Sequence, residues 1–170
     1  DTLALSNCLA WAAEKGHIDI VRLLLADDRV DPSARSNEAI REASHLGHTD
    51  IVRLLISDER VVPSAKANYA ITRASHYGHV DTVRLLLTDN RVDPSAKDNC
   101  AIRLASFYGH ADVVRLLLAD DRVDPSAGDN CAIHSASRNG HSDVVALLQA
   151  AGCSLPCPSQ HAAVLILPCP

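Results

Sequence analysis

Methionine is absent from all 170 residues, and aromatics make up only 3%: one Trp, one Phe and three Tyr. Without Met, Asp1 is not an initiator, so the chain is expected to be a fragment or a processed piece of a longer protein. Few aromatics leave a core of Ala, Leu, Val and Ile, which suits close helix packing. A basic excess is also lacking. The 16 Lys and Arg stand against 21 Asp and Glu, for a formal charge of −5. An electrostatic grip on nucleic acid needs clustered Lys and Arg, so that partner class is excluded. No apolar run approaches the ~20 residues of a membrane-spanning helix. The longest tail candidate is Ala162 to Leu167. No signal-peptide pattern opens the chain, and no membrane partner is expected.

What the chain does have is a repeat. Gly-His occurs at Gly16, Gly47, Gly78, Gly109 and Gly140, every step 31 residues. Arg-Val-x-Pro-Ser-Ala starts at Arg29, Arg60, Arg91 and Arg122 in the same register. Two independent markers at one period define a duplicated unit whose stacked copies bury what one copy cannot. In the copy from Asp98 to Gly128, the run after Asn99 ends at Gly109 and reads as a short helix. Asn37, Asn68 and Asn130 hold the place of Asn99, and Ser6 holds it in the first copy, a column of expected N-caps. Gly109 fits the left-handed residue that closes a helix. A second helix is expected from about Ala111 to Ala119, with Asp112 in its first turn. Asp124-Pro125-Ser126-Ala127 has the Asp and Pro of a type I turn.

A helix pair joined at Gly-His, with Val-Val-x-Leu-Leu-Leu in its second helix, resembles the ankyrin repeat. Cys100 to Ser106 corresponds to that family's Thr-Pro-Leu-His-x-Ala-Ala stretch, although the Thr, Pro and His are missing in every copy. The period of 31 is shorter than the family's usual length of about 33. The resemblance implies an all-α solenoid of five stacked helix pairs, with short turns in place of full β-hairpin fingers. It covers roughly residues 3–152, as copies at about 3–35, 36–66, 67–97, 98–128 and 129–152. Residues 153–170 form a tail rich in Pro and Cys, expected to be poorly ordered. The resemblance also implies a non-catalytic scaffold that binds a protein through the face of its first helices. The second reading is the substrate-recruiting part of a larger enzyme or ubiquitin-ligase adaptor.

Columns of the first helix separate core from candidate site. Cys8, Ala39, Ala70, Ala101 and Ala132 barely change, nor do Leu9 and the Ile column after it, or the Ala column at Ala12. These lie at i, i+1 and i+4, one helical face, and are expected to be buried. The opposite face changes freely, as in Glu14, His45, His76, Phe107 and Arg138, and is expected to be exposed. All five aromatics fall there. With stacked helices about 10 Å apart, they should form one contiguous patch. The candidate partner-binding residues are Trp11, His45, Tyr69, Arg73, His76, Tyr77, Arg103, Phe107, Tyr108 and Arg138. The other reading is that the aromatics cover neighbouring aliphatic stems or contact flanking sequence.

Other candidate chemistry is thin. The Gly-His histidines recur in every copy, which argues for a local structural role rather than a metal ladder. His45 and His76 are adjacent in the stack, but with no carboxylate or Cys nearby they make an incomplete metal set. Asp19 with Arg22 and its equivalents fits a surface pair. Arg29, Arg60, Arg91 and Arg122 beside acidic turns read as a solvated charge ladder. Cys100 and Cys131 are about 10 Å apart by the stacking, too far for a disulfide, which needs less than ~7 Å. Cys153, Cys157, Cys169 and His161 lack the frame of a zinc site, and reduced thiols fit a cytoplasmic or nuclear setting. Ala146 and Gln149 in the last copy fit a terminal repeat with a polar outer face, while an earlier repeat is expected to have preceded the first. No nucleophile–base set, phosphate loop or metal motif is present. The expectation is a monomer without enzymatic activity, cofactor or metal, whose partner is a protein.

Overall fold

The computed structural model describes residues 2–155, and they form helix pairs in series. The first helices are α1 (Thr2–Glu14), α3 (Ala34–His45), α5 (Ala65–His76), α7 (Ala96–Phe107) and α9 (Ala127–Arg138). The second helices are α2 (Ile18–Leu25), α4 (Thr49–Ile56), α6 (Val80–Leu87), α8 (Ala111–Leu118) and α10 (Ser142–Ala150). Each first helix packs on the next first helix and on its own partner, so the two sets form two layers of a solenoid. No strand occurs among the described residues; short turns replace the fingers.

Each pair is closed by its glycine. Gly16, Gly47, Gly78, Gly109 and Gly140 have φ between 73° and 78°. The following His N–H reaches back five residues, as His48 to the Ala43 carbonyl at 2.9 Å. That bond is the mark of a Schellman end. Leu9, Ile40, Ile71, Ile102 and Ile133 are at most 1% exposed, and Leu55, Leu86, Leu117 and Leu148 are fully buried. Each such side chain contributes about 1.5–3 kcal/mol.

The Asn column does not cap its own helix. Arg35, Ser36 and Asn37 lie in a left-handed turn, φ 52–59°, and the later copies repeat it at Lys66 to Asn68, Lys97 to Asn99 and Gly128 to Asn130. Such a turn costs about 1–2 kcal/mol per non-Gly residue. Its return is a tie to the turn that closes the same copy. Asn37 Oδ1 accepts the Val62 N–H at 2.6 Å, Asn68 that of Asp93 and Asn99 that of Asp124, both at 2.8 Å. Ser6 does the same for Asp31 at 3.0 Å. The buried amide therefore holds the backbone of the turn that leads to the next copy instead of a helix end.

The Arg column is likewise not a solvated ladder. Arg60 pairs with Asp58 at 2.6 Å and also donates to the Val30 and Leu25 carbonyls of the preceding copy. Arg91 and Arg122 repeat the reach, to Val61 at 2.9 Å and Val92 at 2.7 Å. Among the described residues Arg29 keeps only its Asp27 pair, and its side chain is 73% exposed. The Asp–Arg surface pair in the second helix forms at Asp112–Arg115, 2.6 Å.

Two placements of cysteine differ from expectation. Cys8 sits in the Ala column but is exposed, because no earlier helix covers it among the described residues. Cys153 belongs to the core rather than to the tail: it is 5% exposed, and burial pushes its thiol pKa up. Cys100 and Cys131 are free thiols. Cys157, His161 and Cys169 lie outside the described residues.

Candidate functional site

The Gly-His histidines act between copies rather than only at a helix junction. His48 Nε2 meets the Glu14 carbonyl at 3.0 Å, His79 that of His45 at 2.9 Å, His110 that of His76 at 2.8 Å and His141 that of Phe107 at 3.0 Å. Each ring lies over the glycine of the preceding copy. A Cβ on Gly109 would stand 2.5 Å from His141 Nδ1, and on Gly47 2.6 Å from His79 Nδ1. Glycine is thus required twice, for its φ and for the neighbour's ring. A cleft of about 400 Å³ lined by Gly16, Gly47, His48, Thr49 and Asp50 opens beside this ladder. In it the Thr49 hydroxyl bonds to Thr82 and Gly47 and the His48 Nε2 to the Glu14 carbonyl, so the two do not pair with each other. Among the described residues, no group of three His, Cys, Asp or Glu side chains converges as a metal-ligand set.

The ladder anchors the carbonyl ends of the first helices, and from those ends the aromatic residues project. His76 stacks between two tyrosines, 4.3 Å from the Tyr77 ring and 4.4 Å from the Tyr108 ring. His45 lies 4.7 Å from Tyr77, and Phe107 meets Tyr108 edge-on at 4.9 Å. One continuous run, His45–Tyr77–His76–Tyr108–Phe107, crosses three copies. Tyr77 is 46% exposed and Tyr108 42%, whereas His45, His76 and Phe107 are half-buried. Burial, followed by the charges of Arg73, His110 and His45, lowers the His76 pKa.

A second group joins this run through Arg73, whose Nη1 donates to His76 Nδ1 at 3.2 Å. Arg73 and Arg41 both lie over the Tyr69 ring, at 4.9 and 5.2 Å. Trp11 stands apart from both groups. Its ring contacts His17 at 5.3 Å, so the aromatics do not make one patch. Arg103 is half-buried, and Arg138 is exposed on the last first helix.

The variable face as a whole is less exposed than its composition suggests. Cys100, Cys131, Leu104, Ser135, Ala10 and Arg41 on it are buried. Adjacent first helices stand close enough for their facing side chains to cover one another. Sequence reasoning missed Arg41 as a site residue. Its recurrence in a column with Arg103 and His134 was the available signal.

The family model for ankyrin repeats, in three copies, matches residues 5–67, 42–129 and 69–158. The chain therefore belongs to the ankyrin-repeat family, whose members are in general protein–protein interaction modules. Comparison with curated proteins finds no match. No helix among the described residues is long and apolar enough to cross a membrane.

Proposed function

We propose that the chain is a non-catalytic recognition module that holds a protein partner on its first-helix layer. The observation that carries this reading is the stacked run His45–Tyr77–His76–Tyr108–Phe107, with Tyr77 and Tyr108 nearly half exposed. Aromatic rings held rigid by their neighbours lose little entropy on binding and supply large contact area. Histidine stacking fixes both tyrosines before any partner arrives, and Tyr69 with Arg73 extends the surface toward the helix N-termini.

The test is affinity capture from the source lysate, comparing the parent with a His76→Ala, Tyr77→Ala, Phe107→Ala, Tyr108→Ala variant. Circular dichroism and melting must first match between the two. A protein held by the parent and lost by the variant supports the reading. Equal retention moves the site to the turns or the second helices and overturns it. So does the failure of both chains to retain any specific protein.

A further inference from the structure

Two guanidinium groups converge on one ring with no acid between them. Arg41 is 7% exposed, yet its Nε and Nη2 donate only to the Ser36 and Arg35 carbonyls, at 3.0 and 3.2 Å. Arg73 is half-buried and spends Nη1 on His76. Neither has a carboxylate partner among the described residues. The acids of α3 are engaged elsewhere, Glu38 with Arg35 at 3.1 Å and Glu42 with His45 at 3.4 Å, and α5 carries none. By contrast, Arg60, Arg91 and Arg122 each hold an Asp at 2.6 Å, and Arg22, Arg53 and Arg84 are exposed to water. A charge withdrawn from water without an anion is unfavourable. The Tyr69 ring offsets part of that cost. The cluster is a local positive centre in a chain of net charge −5. Burial first, and then the charge of Arg73, lowers the pKa of His76 beside it.

We infer that the cluster of Arg41, Tyr69 and Arg73 receives a side-chain carboxylate from an acidic polypeptide segment, with the Tyr77–Tyr108 run as the apolar ledge beside it. This rests on the first-helix reading given under Proposed function. Arg73 retains Nε and Nη2, which suit the two oxygens of one carboxylate. Arg41 has already committed two of its nitrogens to backbone, so the pair is poorly supplied for the additional oxygens and charge of a phosphate. Arg41 contributes field more than donors.

The test is fluorescence anisotropy of the whole chain with a labelled oligoglutamate peptide, against oligolysine and a phosphoserine–glycine peptide. The parent is expected to bind oligoglutamate, more weakly as salt rises. Arg73→Gln, shown by circular dichroism to stay folded, should loosen binding about tenfold, and Arg73→Lys should restore only part of it. Arg115→Gln, which removes the same charge from α8, should bind like the parent. The inference is overturned if the parent ignores oligoglutamate or prefers the phosphopeptide. It also falls if Arg73→Gln binds like the parent, or if Arg115→Gln weakens binding as much. Lysate capture that still depends on Tyr77 and Tyr108 would then leave the recognition reading standing and remove only the acidic partner.

Discussion

The outer face of the first helix pair and the same face inside the stack carry nearly the same residues and have different fates. Ile20 is 43% exposed, whereas Ile51, Thr82, Val113 and Val144 in its column are at most 2% exposed. Cys8 is exposed where Ala39, Ala70, Ala101 and Ala132 are buried. Among the described residues, the carbonyl bonds of the ladder start at His48 rather than His17, and no ring lies over Gly140 at the opposite end. The asymmetry teaches that a residue in a repeat has no burial of its own. Its neighbour confers it, and stability in such an array is a sum of interface terms.

Substitution in matched pairs would sharpen this contrast, and the widest gap is expected in the apolar column. Ile51→Ala should cost about 2–5 kcal/mol, while Ile20→Ala should cost under about 1 kcal/mol. Urea unfolding of both measures it, and equal costs would mean that the inter-pair face contributes nothing. Next comes glycine. Gly109→Ala should cost about 2–4 kcal/mol, because it strains φ and displaces the His141 ring, whereas Gly140→Ala pays only the φ term of about 1 kcal/mol. Thermal melts of the two variants decide this.

The histidine ladder should give a smaller gap. His79→Ala is expected to lose about 1–3 kcal/mol with the His45 carbonyl bond, and His17→Ala to stay within about 0.5 kcal/mol. The smallest effect concerns pH. The His76 pKa is lowered in the folded chain, so the unfolded chain binds the proton more readily. Its contribution to stability is complete above the ordinary value of about 6.5 and declines as pH falls below it. Asp58, Asp89 and Asp120 have lowered carboxyl pKa values from their Arg partners, so their contribution is lost only at lower pH, below the ordinary carboxylate value of about 3.9. Unfolding midpoints across both windows should show the upper slope reduced in His76→Gln and the lower one retained.

The solenoid was legible because period and composition agree at every copy: Gly for the left-handed stop, small Ala columns for close approach, Leu for the second helix. The candidate site was legible only in outline. Its columns vary, which marked the right helix face, but variation does not say which rings touch. Tyr77 and Tyr108 meet through His76, whereas Trp11 is left with His17. Arg41 was harder to place, because its column with Arg103 and His134 marks a basic position but not that it folds over the next copy's Tyr69.

By itself the sequence determined the unit, its two helices, the glycine stop and the number of copies, since these follow from local propensity repeated in register. Only the tertiary structure decided what Asn37, Arg60 and His48 do. Arg60 and His48 bond to carbonyls of the preceding copy, 30 to 35 residues back along the chain, and Asn37 accepts from Val62, 25 residues on, in the turn that leaves its own copy. A one-copy pattern fixes which residue recurs but not which carbonyl or N–H the stacking brings within reach. Burial is set in the same way, because an apolar face loses its water only where a second copy lies against it.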